Sequence, residues 1–437
     1  MKKHSIFLFL CLLCMLLCAL APASAQAEQA EFIDYVSQLD FNRGSETFKA
    51  EVTVKNFVDG DTVHFHVDEQ IVESGVLKAR FLAINTPECT GKIEEYGKKA
   101  AAFTRERLER AESIWVESDN SQWNLDSTSE RHLVWVWYRL PGESAYRNLN
   151  LEILQNGLAI ANSTQQNRYG TICMNALNQA RAQKLNVYSG QKDPDFYYGD
   201  AVELTLKELR TNLEAYNGIK VAFNGVVTMH DANAVYVESF DEETGMYYGM
   251  SVYYGFGLSG AGLNILSVGN EVRIVGTVQY YEAGGTWQVS GLTYRMMKPK
   301  DPGNIQKLSD GHAPAYVLTD ADVFASQVTI QGEETSQTFP YAALTLATSV
   351  EMKNLTVTEV YTTTDEDSSS RGALTLTCQS GGHTVYVRTI PLYGADGTLV
   401  IADMFVGKTI SVKGIVDFYE GQYQIKVFGL DSISLND

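Results

Sequence analysis

Between Val58 and Glu88 the chain gathers residue types that handle phosphate esters and hard cations. The stretch opens on Val58-Asp59-Gly60-Asp61-Thr62-Val63 and closes on Ala79-Arg80-Phe81-Leu82-Ala83-Ile84-Asn85-Thr86-Pro87-Glu88. Asp61 shares the parity of Val63, Phe65 and Val67, so its carboxylate faces the interior that those side chains enclose. A charge in that position is costly unless a cation answers it. Oxygens from the Asp61 carboxylate, the Asn85 amide and the Thr86 carbonyl suit a calcium ion. The guanidinium forks of Arg80 and Arg131 match phosphodiester oxygens, a task for which lysine is a poor substitute. Glu88, one residue past Pro87, sits on a stiff turn that suits the positioning of a water molecule.

The elements that must position these groups are legible in outline. From Phe48 the pattern alternates, with Phe48, Ala50, Val52 and Val54 apolar against Lys49, Glu51, Thr53 and Lys55, which reads as a half-buried strand. Asp59-Gly60 turns the chain into a second strand, and a third runs from Lys78 to Asn85 before Thr86-Pro87 ends it. Strict alternation would place Arg80 and Asn85 on opposite faces, so a shared site requires a bulge or sharp bend between them. Tyr96 to Ala111 reads as an amphipathic helix. Strands at Ile114–Glu117 and Leu133–Tyr138 flank a polar turn that contains Arg131. Helices follow at Leu149 to Asn156, stopped by Gly157, and at Thr171 to Lys184, with Ile172, Ala176 and Ala180 inward. Five strands and three helices suit a Greek-key OB barrel with helical additions. His64 and His66 lie on the polar face of their strand without a third ligand and read as surface. Lys98 and Lys99 read as the exposed side of the helix.

The VDGDT turn, the RFLAINTPE strand end, the YGKKAAAFT helix and the later LNLEILQNGLA together resemble the staphylococcal nuclease family over residues 48–190. The resemblance implies an OB barrel that hydrolyses DNA and RNA with calcium and leaves a 5′-hydroxyl and a 3′-phosphate. Carried onto this chain, Asp61 becomes a direct calcium ligand, Asn85 stands where the family has a second aspartate, and Thr86 offers its carbonyl. Glu88 would orient or deprotonate the attacking water, Arg80 and Arg131 would clamp the phosphate, and Asp59 would stand behind the ligands. The chain departs from the family pattern at several points. Asn85 removes a negative charge, Ser129 and Glu130 replace a tyrosine and a glycine near Arg131, and Ser163 stands where an aromatic would pack against the base. These changes imply weaker calcium affinity and thinner nucleotide stacking.

The rest of the 437-residue chain is too long for one core, and two to four domains are expected. Lys2 and Lys3, an apolar run from Ile6 to Leu20, and Ala23-Ser24-Ala25 read as a signal peptide over residues 1–25. The run is too short for a comfortable span, so a secreted mature chain without membrane insertion is expected. Leu17 before Cys18 is bulkier than a lipoprotein site favours. Cys89, Cys173 and Cys378 remain after cleavage, an odd set in which a Cys89–Cys173 bridge is one option. Residues 45–195 carry 17 basic against 21 acidic side chains and residues 196–437 carry 14 against 28, so the net charge of −19 sits mostly in the C-terminal half. Nucleic acid must therefore be held by a local basic cluster.

Beyond a linker at Gln191 to Gly199 the chain repeats. VGNEVRIVGTVQYYE (268–282) matches VGKTISVKGIVDFYE (406–420) in register, and each copy continues into an aromatic-Gln strand. The copies are predicted as two tandem OB-like barrels over 200–298 and 315–435, after a first barrel over 47–190, with a second linker at Lys298 to Pro314. The fold class is thus mainly β with some α. Tyr253-Tyr254, Tyr280-Tyr281, Trp287, Phe418-Tyr419 and Tyr423 could stack bases or sugars, although alternation assigns half of each pair to the core. The combined expectation is a secreted, calcium-dependent, sugar-nonspecific nuclease. DNA and RNA are its substrates, and its repeats could contact nucleic acid or cell-wall glycan. The alternative is a protein that grips nucleic acid on a nuclease-like barrel without cutting it.

Overall fold

The alternating residues that follow Phe48 form β1 (Lys49–Phe57), with Ala50 and Val52 buried and Glu51 and Thr53 outside. In this computed structural model the described residues are 32–42, 44–332, 336–365 and 368–436. The predicted signal peptide, residues 1–25, lies outside them. Among the described residues no helix is long and apolar enough to cross a membrane. Residues 35–437 form one compact unit.

The first barrel comprises β1, β2 (Thr62–His66), β3 (Val76–Phe81), the two-residue β4 (Ile84–Asn85), α1 (Gly97–Glu109), β5 (Ser113–Glu117) and β6 (His132–Arg139). After these come β7 (Arg147–Asn148), α2 (Leu149–Gln155), β8 (Ile160–Ala161) and α3 (Gly170–Ala182). The main sheet runs β3-β2-β1-β5-β6-β7 and closes through a parallel β3–β6 pair. Closure removes the sheet edges and leaves a core filled by Phe65, Phe81, Trp135, Trp137 and Tyr138. Cys173, Ala176, Leu177 and Ala180 form the buried stripe of α3, while Ile172 packs at its margin.

Two more barrels repeat this order. The second contains β9 (Val202–Glu203), α4 (Leu206–Thr211), β10 (Lys220–Asp231), β11 (Ala234–Asp241) and β12 (Met246–Tyr253). It continues with α5 (Ala261–Ile265), β13 (Glu271–Tyr281), β14 (Thr286–Ser290) and β15 (Gln306–Ser309). The third begins with β16 (Val317–Leu318), α6 (Ala321–Phe324), the hairpin β17 (Gln327–Gln331) and β18 (Ser336–Pro340), and α7 (Tyr341–Leu344). It is completed by β19 (Ser349–Thr362), β20 (Leu374–Ser380), β21 (His383–Thr389), β22 (Thr409–Tyr419), β23 (Gln422–Val427) and β24 (Ile433–Asn436). In every barrel the third and fifth long strands pair in parallel, and the first and fourth pair antiparallel. All three are therefore OB-like, and the chain is mainly β with some α.

Several local expectations fail for identifiable reasons. The stretch expected as a second linker, Lys298 to Pro314, contains β15, which pairs with Glu271–Arg273 and buries Ile305. Its prolines flank the strand and leave its ladder intact. The hairpin β17–β18 lies within 315–435 by sequence, yet Val328, Ile330 and Phe339 pack on the core of the second barrel. Tyr280 and Tyr281 are both exposed on the last rungs of the β13–β14 ladder, and the Tyr280 ring meets that of its cross-strand partner Trp287 edge to face. The first linker is no loose tether. The buried Asp193 carboxylate accepts the Tyr96 amide proton at 2.6 Å at the start of α1, and the Tyr96 hydroxyl donates to the Gln191 carbonyl at 3.0 Å.

The second and third barrels share a polar, buried seam. Glu238 accepts from the Ser349 amide at 2.7 Å and from the Ala315 amide at 2.8 Å, while Arg210 donates to the carbonyls of Gly249 and Leu346. Pairing such groups across a seam makes separation expensive, since each would be left unsatisfied where it lies dry.

Cys89, Cys173 and Cys378 are free thiols, so the optional Cys89–Cys173 bridge is not formed. Burial pushes Cys173 and Cys378 up to about 12, and burial with the charges of Asp59, Glu88 and Glu282 does the same for Cys89. At mildly alkaline pH almost no thiolate is present. Iodoacetamide is therefore expected to leave the folded chain, shortened by residues 1–25, essentially unmodified and to alkylate three thiols per chain in denaturant. Mass spectrometry that counted one thiol in denaturant would contradict the free-thiol assignment.

Candidate active site

The β1–β2 turn is built to deliver one carboxylate. The amides of Val58 and Asp59 donate to the Thr62 carbonyl, and the Asp59 carboxylate accepts the Asp61 amide proton at 3.0 Å, the self-bond that makes Asp a turn former. Helix α1 clamps the turn from outside. Thr104 donates its hydroxyl proton to the Gly60 carbonyl at 2.6 Å, and a Cβ at Gly60 would lie 2.9 Å from both Ala100 and Thr86. Only glycine lets the turn sit this close to the helix.

Asp61 emerges from the turn fully buried. Its Oδ2 accepts the Thr86 amide proton at 2.8 Å, and its Oδ1 accepts from the Thr62 hydroxyl at 3.2 Å and from Arg80 Nη1. The other arm of the Arg80 fork, Nη2, donates to Asn85 Oδ1. One guanidinium thus spans the carboxylate and the amide. Three of the residues singled out by sequence, Asp61, Arg80 and Asn85, meet at one point, and Thr86 adjoins them through its backbone.

The bend required between Arg80 and Asn85 is present at Leu82–Ala83. Ala83 adopts a left-handed conformation with φ of 69°, which re-aims β4 and turns Asn85 back toward Arg80. Neighbouring groups hold this uncommon geometry. Asn150 of α2 donates to the carbonyls of Leu82 and Val134, both at 3.0 Å, and Thr164 donates to the Ala83 carbonyl at 2.7 Å. The strand β8 then pairs Ile160 with Asn85. The helix and loop of the LNLEILQNGLA motif therefore serve the site at second hand.

Glu88 and Arg131 stand at the rim. Glu88 is exposed by surface area, yet enough protein surrounds it for burial to raise its carboxyl above the ordinary value. Asp59 adds to the rise and Arg80 opposes it. Its backbone is fixed: the Glu94 amide donates to the Glu88 carbonyl at 2.9 Å, and a Cβ on Gly97 would collide with that carbonyl. The Arg131 charge acts on Asp59, Arg80 and Glu88, but its guanidinium is engaged by Asp126, with Nε and Nη2 each 2.7 Å from Oδ2. Burial works to raise the Asp126 carboxyl, but hydrogen bonds from Thr128 and Arg131 outweigh it and hold the group at about 2. Asp126 was not evident from sequence; the available signal was an acid five residues before an arginine inside a polar turn. Burial raises Asp59 as well, and Arg80 opposes that shift.

Among the described residues no three His, Cys, Asp or Glu side chains gather at one point. The oxygens that do converge are one carboxylate, one amide and the main chain of Thr86, whose buried Oγ1 has no hydrogen-bond partner. In kind, these are donors for a hard cation, and a cationic group already bridges two of them. Residues 78–190 match the family model described as staphylococcal nuclease homologue, a range that includes Arg80, Asn85, Thr86, Glu88 and Arg131 and begins after Asp61. Over residues 78–190 the first barrel thus matches the staphylococcal nuclease family, and two OB-like barrels follow it in the same chain.

Proposed function

We propose that the first barrel hydrolyses phosphodiester bonds of DNA and RNA with calcium, and that the chain acts outside the cell after loss of residues 1–25. The observation that carries this reading is the convergence of Asp61, Asn85 and Arg80 at the mouth of a barrel that matches the nuclease family. Asp61, Asn85 and the Thr86 carbonyl would hold the ion, which when bound polarises a phosphoryl oxygen and offsets charge on the phosphate. Arg80, released from those two oxygens, turns its fork to the phosphate and is joined there by Arg131. Glu88 orients a water molecule and takes its proton as the water oxygen attacks phosphorus. The bond from phosphorus to the 5′ oxygen breaks, and that oxygen takes a proton from solvent, leaving a 5′-hydroxyl and a 3′-phosphate. Asp59 steadies the turn that presents Asp61, and Asp126 steadies Arg131.

Plasmid DNA and RNA incubated with the protein, in calcium or in chelator, test this reading. Calcium-dependent cutting is expected to fall about 10²- to 10⁴-fold in Glu88→Gln and about 10²- to 10³-fold in Arg80→Lys. Lysine is the informative replacement at position 80. Alanine would strand the buried Asp61 charge and cost roughly 3–5 kcal/mol of stability, confounding the assay. Binding without cutting under every condition would overturn the hydrolase reading.

Asn85→Asp adds a second carboxylate beside Asp61, so calcium affinity measured by calorimetry is expected to rise roughly tenfold. Unchanged affinity would remove Asn85 from the proposed ligands.

A further inference from the structure

The second barrel reaches the candidate site through the segment that follows Glu88. Gln279 of β13 donates from Nε2 to the Cys89 carbonyl at 3.3 Å and accepts the Gly91 amide proton on Oε1 at 3.2 Å. The one hydroxyl proton of Ser290 of β14 is shared between the Gly91 carbonyl, at 2.8 Å, and Gln279 Oε1. Gln279 is 5% exposed and Ser290 fully buried, so two side chains fixed by burial hold a half-buried stretch of main chain. The fit is close: a Cβ on Gly291 would stand 3.2 Å from the Gly91 carbonyl oxygen, and Gly91 itself takes φ of 66°.

Two other ties join the same barrels away from this segment. Arg105 of α1 pairs with Glu282, and Lys98 donates to the Asn217 carbonyl at 3.3 Å. They could dock the barrels by themselves. The Gln279–Ser290 pair does something different, because it takes main-chain groups one and three residues from Glu88.

The repeat register supports a shared use of this position. Gln279 aligns with Asp417 and Ser290 with Lys426. Lys426 pairs with Asp231 of the second barrel, and the half-buried Asp417 accepts from Gln424 at 2.7 Å beside that pair. Each repeat thus receives the barrel before it on the same strand pair. In the second barrel the received element is the segment adjoining Glu88.

We propose that Gln279 and Ser290 are positioning residues for Glu88, so that the second barrel, by fixing Cys89–Gly91, completes the hydrolytic site of the first. This inference rests on the nuclease reading above. Nothing in it asks the repeats to touch substrate. It requires that the carboxylate sit correctly only while the segment behind it is pinned from both sides, by Glu94 and Gly97 on one and Gln279 and Ser290 on the other.

The test uses the full chain with Gln279→Leu, Ser290→Ala and, as an interface control, Glu282→Ala. Amide exchange at Gly91 is expected to quicken about tenfold in Gln279→Leu, the scale of one lost hydrogen bond, and to stay at the wild-type rate in Glu282→Ala. For calcium-dependent hydrolysis, kcat should fall about 10- to 100-fold in Gln279→Leu with KM nearly constant. Adding Glu88→Gln to Gln279→Leu should cost little beyond Glu88→Gln alone. Unchanged Gly91 exchange overturns the proposal, and so does a quickened exchange with unaltered kcat, or additive losses in the double variant. A wild-type chain that cuts nothing sinks the nuclease reading separately. Gly91 exchange then still decides whether the second barrel fixes the segment.

Discussion

The fully buried carboxylate of Asp61 sets the terms for the mouth of the first barrel. Asp61 lies where closure of the sheet removes water, and such a group is tolerated only with a cation and hydrogen bonds around it. Arg80, Thr62 and the Thr86 amide supply them, and each comes from a different strand or strand end. Satisfying Asp61 therefore fixes the relative positions of β2, β3 and the chain after β4. The same bonds that make the charge tolerable assemble the constellation at the mouth.

Support for that arrangement comes from far along the chain. Asn150 and Thr164 hold the left-handed Ala83, Thr104 holds Gly60, and Asp193 in the inter-barrel segment holds the start of α1. Each of these bonds satisfies a main-chain carbonyl or amide that packing has taken from water. The scaffold is thus a set of satisfied main-chain groups as much as an apolar core. The segment between the barrels belongs to that set.

How far the sequence could be read follows from which interactions are local. The turn at Asp59-Gly60, strands β1, β5 and β6, and α1, α2 and α3 follow periodicity and turn chemistry, and the structure has them within a residue or two. The third strand, expected unbroken from Lys78 to Asn85, instead divides into β3, ending at Phe81, and the short β4. The repeat was visible because glycines and aromatics recur in register. A bend between Arg80 and Asn85 was demanded by parity, but its site at Ala83 was not, since nothing about alanine favours a left-handed backbone and the groups that hold it, Asn150, Asn162 and Thr164, lie far along the chain. Asp126 was hidden because its role is a pairing across a polar turn. The strand Gln306–Ser309 was hidden because prolines on both sides mimic a linker. Tyr280 and Tyr281 misled because alternation assigns one of them to the core, whereas both sit on the last rungs of the β13–β14 ladder and are exposed there. Gln279 and Ser290 could not have been found at all, since their partners lie nearly two hundred residues away.

The recurrence of one receiving strand pair in both repeats bears on modularity. The two copies share an outline, yet their receiving surfaces are chemically distinct: neutral Gln279 and Ser290 in one, charged Asp417 and Lys426 in the other. Transposing the copies would bring an ammonium and a carboxylate against main-chain groups that now meet an amide and a hydroxyl. The array consequently has a fixed order, and its members are not exchangeable beads on a string.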